Sequence, residues 1–327
     1  MERIEQGLRH ELGARHDELV GSHTCVYATG SCGREEMGVG SDLDAYIVRV
    51  DGGGLTNADS LEAAVRAANE AAGLPVLDGH GKYLKMVDAR DAIELMGTPE
   101  DDQRGMLTKR MLLLLESRVL LGQPAHEQLV RQVIDAYWQN ENLHRDDYLP
   151  FVLVNDIIRY WRIVLLNHES RLRKKKEELE QDENIASKDE EEILLAERRY
   201  KSYKLRFPRC LTCFSALTYL LALTPQEDSH VTKQQVHEMV RLTPIDRIRE
   251  LPRLVDRELG LVDELLTEYG SFLERTAQGK GELLEQLRRE RAVQIEVSQA
   301  GDRFTKLMFE LVSELGGGRP LHRHMLV

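Results

Sequence analysis

Strand-like sequence is confined to the first third of this chain, and that confinement limits what it can fold into. Up to Gly122, short β-rich runs alternate with helical stretches; beyond it, every apolar pattern has helical spacing. Glu2 to Leu19 reads as an amphipathic helix stopped by Gly21-Ser22. His23 to Ala28 is a short β-rich run ending at Thr29-Gly30, and Ala45 to Val48 is an apolar strand of central character, broken by Gly52-Gly53-Gly54. Ser60 to Ala72 is an alanine-rich helix closed by Gly73 and Pro75. Val76-Leu77 and Tyr83 to Val87 read as two more strands around Gly79-His80-Gly81. Met106 to Leu121, Glu127 to Asn140, Tyr148 to His168, Cys210 to Leu223, Val231 to Arg241, Leu261 to Ala277 and Phe304 to Leu315 fit helices, the first of them as a bridge. The expected fold class is α+β. A small mixed sheet with helices occupies residues 1–122, and an all-α domain follows over 123–327. The charged stretch 172–195 is expected as a solvated helical hairpin or a mobile insert. Gly316-Gly317-Gly318 is expected to loosen the last nine residues.

Composition narrows the setting. The chain has 327 residues, 42% hydrophobic and 31% charged, which suits a globular protein rich in surface helices. No apolar run approaches the roughly 20 residues needed to span a bilayer. The start, Met1-Glu2-Arg3-Ile4-Glu5, is charged and unlike a secretory leader. Four cysteines in a chain of this length do not make a disulfide framework, so a reducing, cytoplasmic setting is expected. The formal net charge of −12 repels nucleic acid and anionic membrane, so any nucleic-acid contact must come from a local basic patch.

The chemistry-bearing segment is Gly30-Ser31-Cys32-Gly33-Arg34, followed by Ser41-Asp42-Leu43-Asp44. Strand side chains alternate faces, so Asp42 and Asp44 point one way and Leu43 the other. Two carboxylates on one face suit a hard divalent cation. A glycine-rich turn leaves backbone N–H groups for phosphate. Gly30 lets the backbone approach phosphate without a Cβ. Ser31 adds a hydroxyl donor. Gly33 and Arg34 are expected to open a short helix whose N-terminus favours anions. Ser41 is expected to cap the turn. Arg34 reaches the nucleotide or pairs with Glu35 or Glu36. Together these residues suggest a Mg²⁺-nucleotide site.

The constellation G-S-x-G-R, then S-D-L-D leading into an apolar strand, resembles the nucleotidyltransferase superfamily that includes DNA polymerase β. Gly33-Arg34-Glu35-Glu36, and Leu114-Leu115-Glu116-Ser117-Arg118 with Leu121-Gly122, resemble its PII-uridylyltransferase-type members. The resemblance covers about the first third of the chain. It implies in-line attack of a hydroxyl on the α-phosphate of a nucleoside triphosphate, with release of pyrophosphate. It implies two Mg²⁺ ions, with Mn²⁺ as a substitute, about 4 Å apart, held by Asp42, Asp44 and a third carboxylate on a neighbouring strand. Asp88 is the first candidate for that third ligand and Asp78 the second. Asp91, Asp101 and Asp102 lie outside any expected strand, and Glu116 lies on a helix.

Arg198 to Arg209 holds six basic residues, no acid, and interleaved aromatics, as in surfaces that bind phosphates and stack bases. Two readings stand. In one, the segment is a solvated helix balancing Asp189 to Glu192. In the other, Lys204, Arg206 and Arg209 reach the triphosphate or the acceptor. Asn155, Arg159 and Arg162 fall near one helical face, which lines a cleft or simply pairs Asp156 with Arg159 or with Tyr160. Cys210-Leu211-Thr212-Cys213 reads as buried small residues. His322-Arg323-His324 reads as part of a tail that docks Leu321, Met325 and Leu326.

Three functions fit. The first is a template-independent enzyme that transfers NMP or dNMP to a hydroxyl and makes a nucleotide or short oligonucleotide, as superfamily members do in antiviral defence. The second is a protein-modifying nucleotidyltransferase that uridylylates or adenylylates a partner. The third is a non-catalytic nucleotide-binding module. Expected partners are a nucleoside triphosphate, a short single-stranded nucleic acid or protein acceptor, and a second copy of the chain or an effector protein.

Overall fold

A computed structural model describes residues 2–52, 57–77, 84–139, 141, 148–181, 188–224 and 230–326. The chain forms two compact units. One comprises Met1–Pro150 with Thr232–Thr243, the other Phe151–Val231 with Pro244–Val327.

In the first unit, α1 (Glu2–Leu12) buries Ile4, Leu8 and Leu12, a stripe at four-residue spacing. The single helix expected to Leu19 is interrupted. Gly13 takes φ +48°, a 3₁₀ turn covers Gly13–Arg15, and α2 (His16–Leu19) follows. Next come β1 (Thr24–Thr29), a single turn α3 (Gly30–Gly33) and β2 (Asp44–Arg49). Then α4 (Ala58–Ala71) precedes β3 (Val87–Asp88), α5 (Ala89–Glu94), α6 (Pro99–Gln103) and α7 (Met106–Glu116). The unit continues with β4 (Arg118–Leu121) and α8 (Gln123–Tyr137).

The sheet order is β3-β2-β1-β4. β1 pairs antiparallel with both β2 and β4, and β3 pairs parallel with β2, so the sheet is mixed as expected. β1 is buried along its whole length, as a central strand should be. One face carries Val26, Ala28, Leu43, Ala45 and Ile47 and shares a core with α1 and α4. On the other face Tyr27 stacks on Tyr46 at 5.5 Å and meets the edge of His126 from α8.

Three local expectations fail. Helix α7 stops at Glu116, where Ser117 turns extended, so Arg118–Leu121 is an edge strand and not the end of a bridging helix. Val76-Leu77 forms no strand, and the strand expected over 83–87 begins only at Val87. Asp78 and the Gly79-His80-Gly81 turn lie outside the described residues. The division expected at Gly122 falls inside the first unit, because α8 packs on β1 and β4.

The second unit is helical among its described residues. It contains α9 (Phe151–Gln181), α10 (Lys188–Lys204) and, after a π turn over Leu205–Arg209, α11 (Cys210–Ala222). Helix α12 (Lys233–Arg241) returns to the first unit and packs on α7 and α8. Helices α13 (Pro244–Leu254), α14 (Gly260–Ala277), α15 (Lys280–Arg289), α16 (Arg291–Gly316) and α17 (Pro320–Leu326) complete the second unit. The glycines at 316–318 do not loosen the end of the chain. Leu321 is fully buried, α17 packs on α9, and His324 meets Phe151 at 4.7 Å between ring centres.

The π turn contains Pro208, which has no N–H for the helical ladder; one extra residue in the turn absorbs the break. Phe207 there stacks on Phe304 at 4.5 Å and on Phe272 at 4.8 Å, and Tyr203 tilts against Phe272. No helix among the described residues is long and apolar enough to cross a membrane.

Candidate functional site

The antiparallel register of β1 and β2 sets Thr29 opposite Asp44, at the edge where β1 runs into α3. Asp42 precedes the strand. Leu43 is buried in the core, while Asp42 and Asp44 are half-exposed. Gly30 takes φ +65°, and a Cβ there would lie 2.8 Å from Asp44 Oδ2. Backbone and carboxylate therefore meet where any larger residue would come between them. The Asp42 carboxylate and the Ser31 hydroxyl have no hydrogen-bond or ionic partner among the described residues. Ser41 holds the preceding turn as expected. Its hydroxyl accepts the Gly38 N–H at 3.0 Å, and its own N–H donates to the Gly38 carbonyl.

The helix after the turn differs from the expectation. It opens at Gly30 and is one turn long, with Arg34 at its end. A single turn offers little dipole, so the backbone and the Ser31 hydroxyl are what remain to meet an anion.

Arg34 is turned into the protein. Its guanidinium is buried, donating from Nη1 to Glu116 Oε2 at 2.6 Å and from Nε to Glu36 Oε2 at 2.8 Å. The other Glu116 oxygen accepts the Gly30 N–H at 3.3 Å. Glu116 thus fastens both ends of the turn to the end of α7. Gly33 completes the fit, since a Cβ on it would overlap the Glu116 carbonyl oxygen. The sequence held the Glu36 half of this arrangement. Nothing in it announced a partner 82 residues away. Arg118, from the unexpected strand β4, pairs with Glu35 at the rim. Burial pushes the Cys32 thiol up to about 11, so the variable position of the turn is unreactive.

Asp88 stands at the wrong end of the sheet. It is level with Arg49, five residues along β2 from Asp44. That is roughly 16 Å at about 3.3 Å per residue. There Asp88 caps α5 by accepting the Arg90 N–H and grips the Arg90 side chain at 2.8 Å. The hydrogen bonds from Arg90 hold its carboxyl below the ordinary range. Asp88 therefore cannot share an ion with Asp44, and Asp101 is spent in a buried pair with Arg110 at 2.7 Å. Asp42 and Asp44 remain as the two carboxylates of the kind a hard divalent cation takes. No group of three or more His, Cys, Asp or Glu side chains suited to a metal occurs among the described residues.

The basic–aromatic segment does not stack bases as expected, because Tyr203 and Phe207 are core residues of the second unit. Arg206 is bound to α16, donating to Asp302 at 2.8 Å and lying against Gly301. Lys204 sits over the Tyr200 ring at 5.7 Å. Arg209 is half-buried. The stripe on α9 resolves as a pair, Arg159 donating to buried Asp156 at 2.8 Å. Cys210 and Cys213 are buried free thiols, and burial pushes Cys210 up to about 12. No family model, curated protein or solved structure matches the chain.

Proposed function

We propose that this protein is a metal-dependent nucleotidyltransferase whose site is the turn at Gly30–Gly33 together with Asp42 and Asp44. The observation that carries the reading is the contact of Gly30 with the Asp44 carboxylate, beside an Asp42 that no cation neutralises. A polyphosphate and its cation need those two features side by side: backbone without a side chain, and hard anionic oxygens.

In this reading Asp42 and Asp44 hold Mg²⁺, or Mn²⁺ in its place. When bound, the ion neutralises phosphate charge and polarises the α-phosphate. Gly30 admits the polyphosphate to the backbone. Ser31 donates its hydroxyl hydrogen to a phosphate oxygen. Glu116 and Arg34 keep the turn in place and touch no substrate. A bond forms between an acceptor hydroxyl oxygen and the α-phosphorus. The bond from that phosphorus to the bridging oxygen breaks, pyrophosphate leaves with the electron pair, and the hydroxyl proton passes to solvent.

The test is incubation with each α-labelled NTP and dNTP in Mg²⁺ or Mn²⁺, with D42N/D44N as control. Label in small or laddered products that vanishes in the control supports transfer to a nucleotide or oligonucleotide. Label on a protein band supports protein modification instead. The distance of Asp88 from Asp44 favours a second reading, a module that binds Mg²⁺-nucleotide without transferring it. That reading expects nucleotide binding by calorimetry and no label in any product.

A further inference from the structure

The charges of α9 and α10 are sorted lengthwise. From Ile157 to Lys176 there are seven basic residues and one acid, Glu169. From Glu177 to Glu192 there are nine acids and one lysine. From Arg198 to Arg209 there are six basic residues and no acid. The two helices pack on one another, and His168 Nε2 meets Ser202 Oγ at 3.3 Å. The basic runs of the two helices therefore meet at that contact.

Arg171 lies one turn beyond His168 on α9, and Arg198 lies one turn before Ser202 on α10. Both are exposed, and neither has an ionic partner among the described residues. Arg173 and Lys174 are exposed on the next turn of α9. Lys201 is exposed beside His168, with Glu197 4.0 Å away. Among the described residues the acids at this contact are Glu169, next to His168, and that same Glu197, while Arg173 and Lys174 have interactions of their own. Burial lowers the His168 pKa, and Arg198 and Lys201 lower it further, against Glu169.

We infer that the cationic region around the α9–α10 contact, centred on Arg171 and Arg198, is a docking surface for the phosphate backbone of a single-stranded nucleic acid. A band of five exposed cations from two adjacent helices, in a chain of net charge −12, is complementary to a flexible polyanion. Binding stands on these charges alone. The role of that strand as acceptor of the nucleotidyl group rests on the reading of the Asp42–Asp44 site.

The experiment is fluorescence anisotropy of a labelled oligouridylate of about 12 nucleotides with the full chain, without nucleotide or metal. Wild type is expected to bind, and to bind more weakly as salt rises from about 50 to 200 mM. R171E/R198E is expected to lose about tenfold or more in affinity. Its salt dependence should flatten by about 1.4, two contacts at roughly 0.7 each. R249E/R253E, on α13, changes net charge equally and is expected to leave affinity unchanged. Absence of wild-type binding overturns the proposal, as does an equal loss in both double variants. Capture by phosphatidylserine vesicles with no oligonucleotide binding also overturns it, in favour of a membrane surface. D42N/D44N is expected to keep full oligonucleotide affinity. If wild type binds but transfers nothing, the surface survives and the enzymatic reading fails. If it transfers label but does not bind the oligonucleotide, the enzymatic reading survives and the surface fails.

Discussion

The two ends of β2 carry similar residue types and treat them in opposite ways. At the far end every acid has a cation: Asp88 has Arg90, and Asp51 accepts from Arg49 at 2.6 Å. At the near end the cations are turned away from Asp42. Arg34 is buried between Glu36 and Glu116, and Arg118 is drawn to Glu35. A balanced network holds a sheet end together and has little to offer a ligand. Acidic charge kept apart from nearby arginines is what a site for a cation from solution would need.

The comparison breaks most sharply on activity. Asp42→Asn and Asp44→Asn are each expected to lower labelled transfer by about 10²–10³-fold, the scale of losing one strong electrostatic contact in a reacting centre. Asp88→Asn is expected to leave it unchanged. A comparable loss in Asp88→Asn would erase the distinction between the ends.

The next effect is on stability. Arg34→Met leaves Glu116 and Glu36 buried without their cation, which costs about 3–5 kcal/mol in a urea titration. Glu116→Gln keeps an acceptor for the Gly30 N–H but gives up the charge opposite Arg34. It is expected to raise the KM for nucleotide more than it lowers kcat.

Between the two ends, His126 sits against Tyr27 with its Nε2 3.0 Å from Ser117 Oγ, and burial lowers it to about 4 from 6.5. The unfolded chain binds the proton more readily, so this stability is fully present above pH 6.5 and is lost as pH falls toward 4. The shift corresponds to ~3 kcal/mol. The urea midpoint of wild type should fall across that window, and that of His126→Gln should fall less. Asp88→Asn is expected to give the smallest effect, no resolvable change in the urea midpoint at pH 7, because its partner Arg90 is exposed.

What was legible in the sequence was local and periodic. The burial of Leu43 between two half-exposed aspartates was legible, because Leu43 has a core to enter. The turn at Gly30 was legible because glycine is a backbone statement. Strand β4 was hidden because its four residues follow a helix with nine of eleven residues buried, and one apolar run covers both. The partnership of Arg34 with Glu116 was hidden because no spacing rule reaches so far along a chain. Tyr203 and Phe207 were misleading because composition does not say which side of a helix faces the core. Their neighbours Lys201 and Arg198 are exposed, and only packing separates the two sets.

The return of α12 has a consequence for how this protein is made. Its first residues are fixed by a reciprocal cap, Thr232 and Gln235 bonding each other's backbone, and Lys233 ties to Asp135 of α8 at 2.8 Å. The first unit is therefore finished only after Thr243 leaves the ribosome, long after its own sheet has been translated. Until then the side of α8 that α12 packs on has no cover, and exposed apolar surface of that kind favours aggregation.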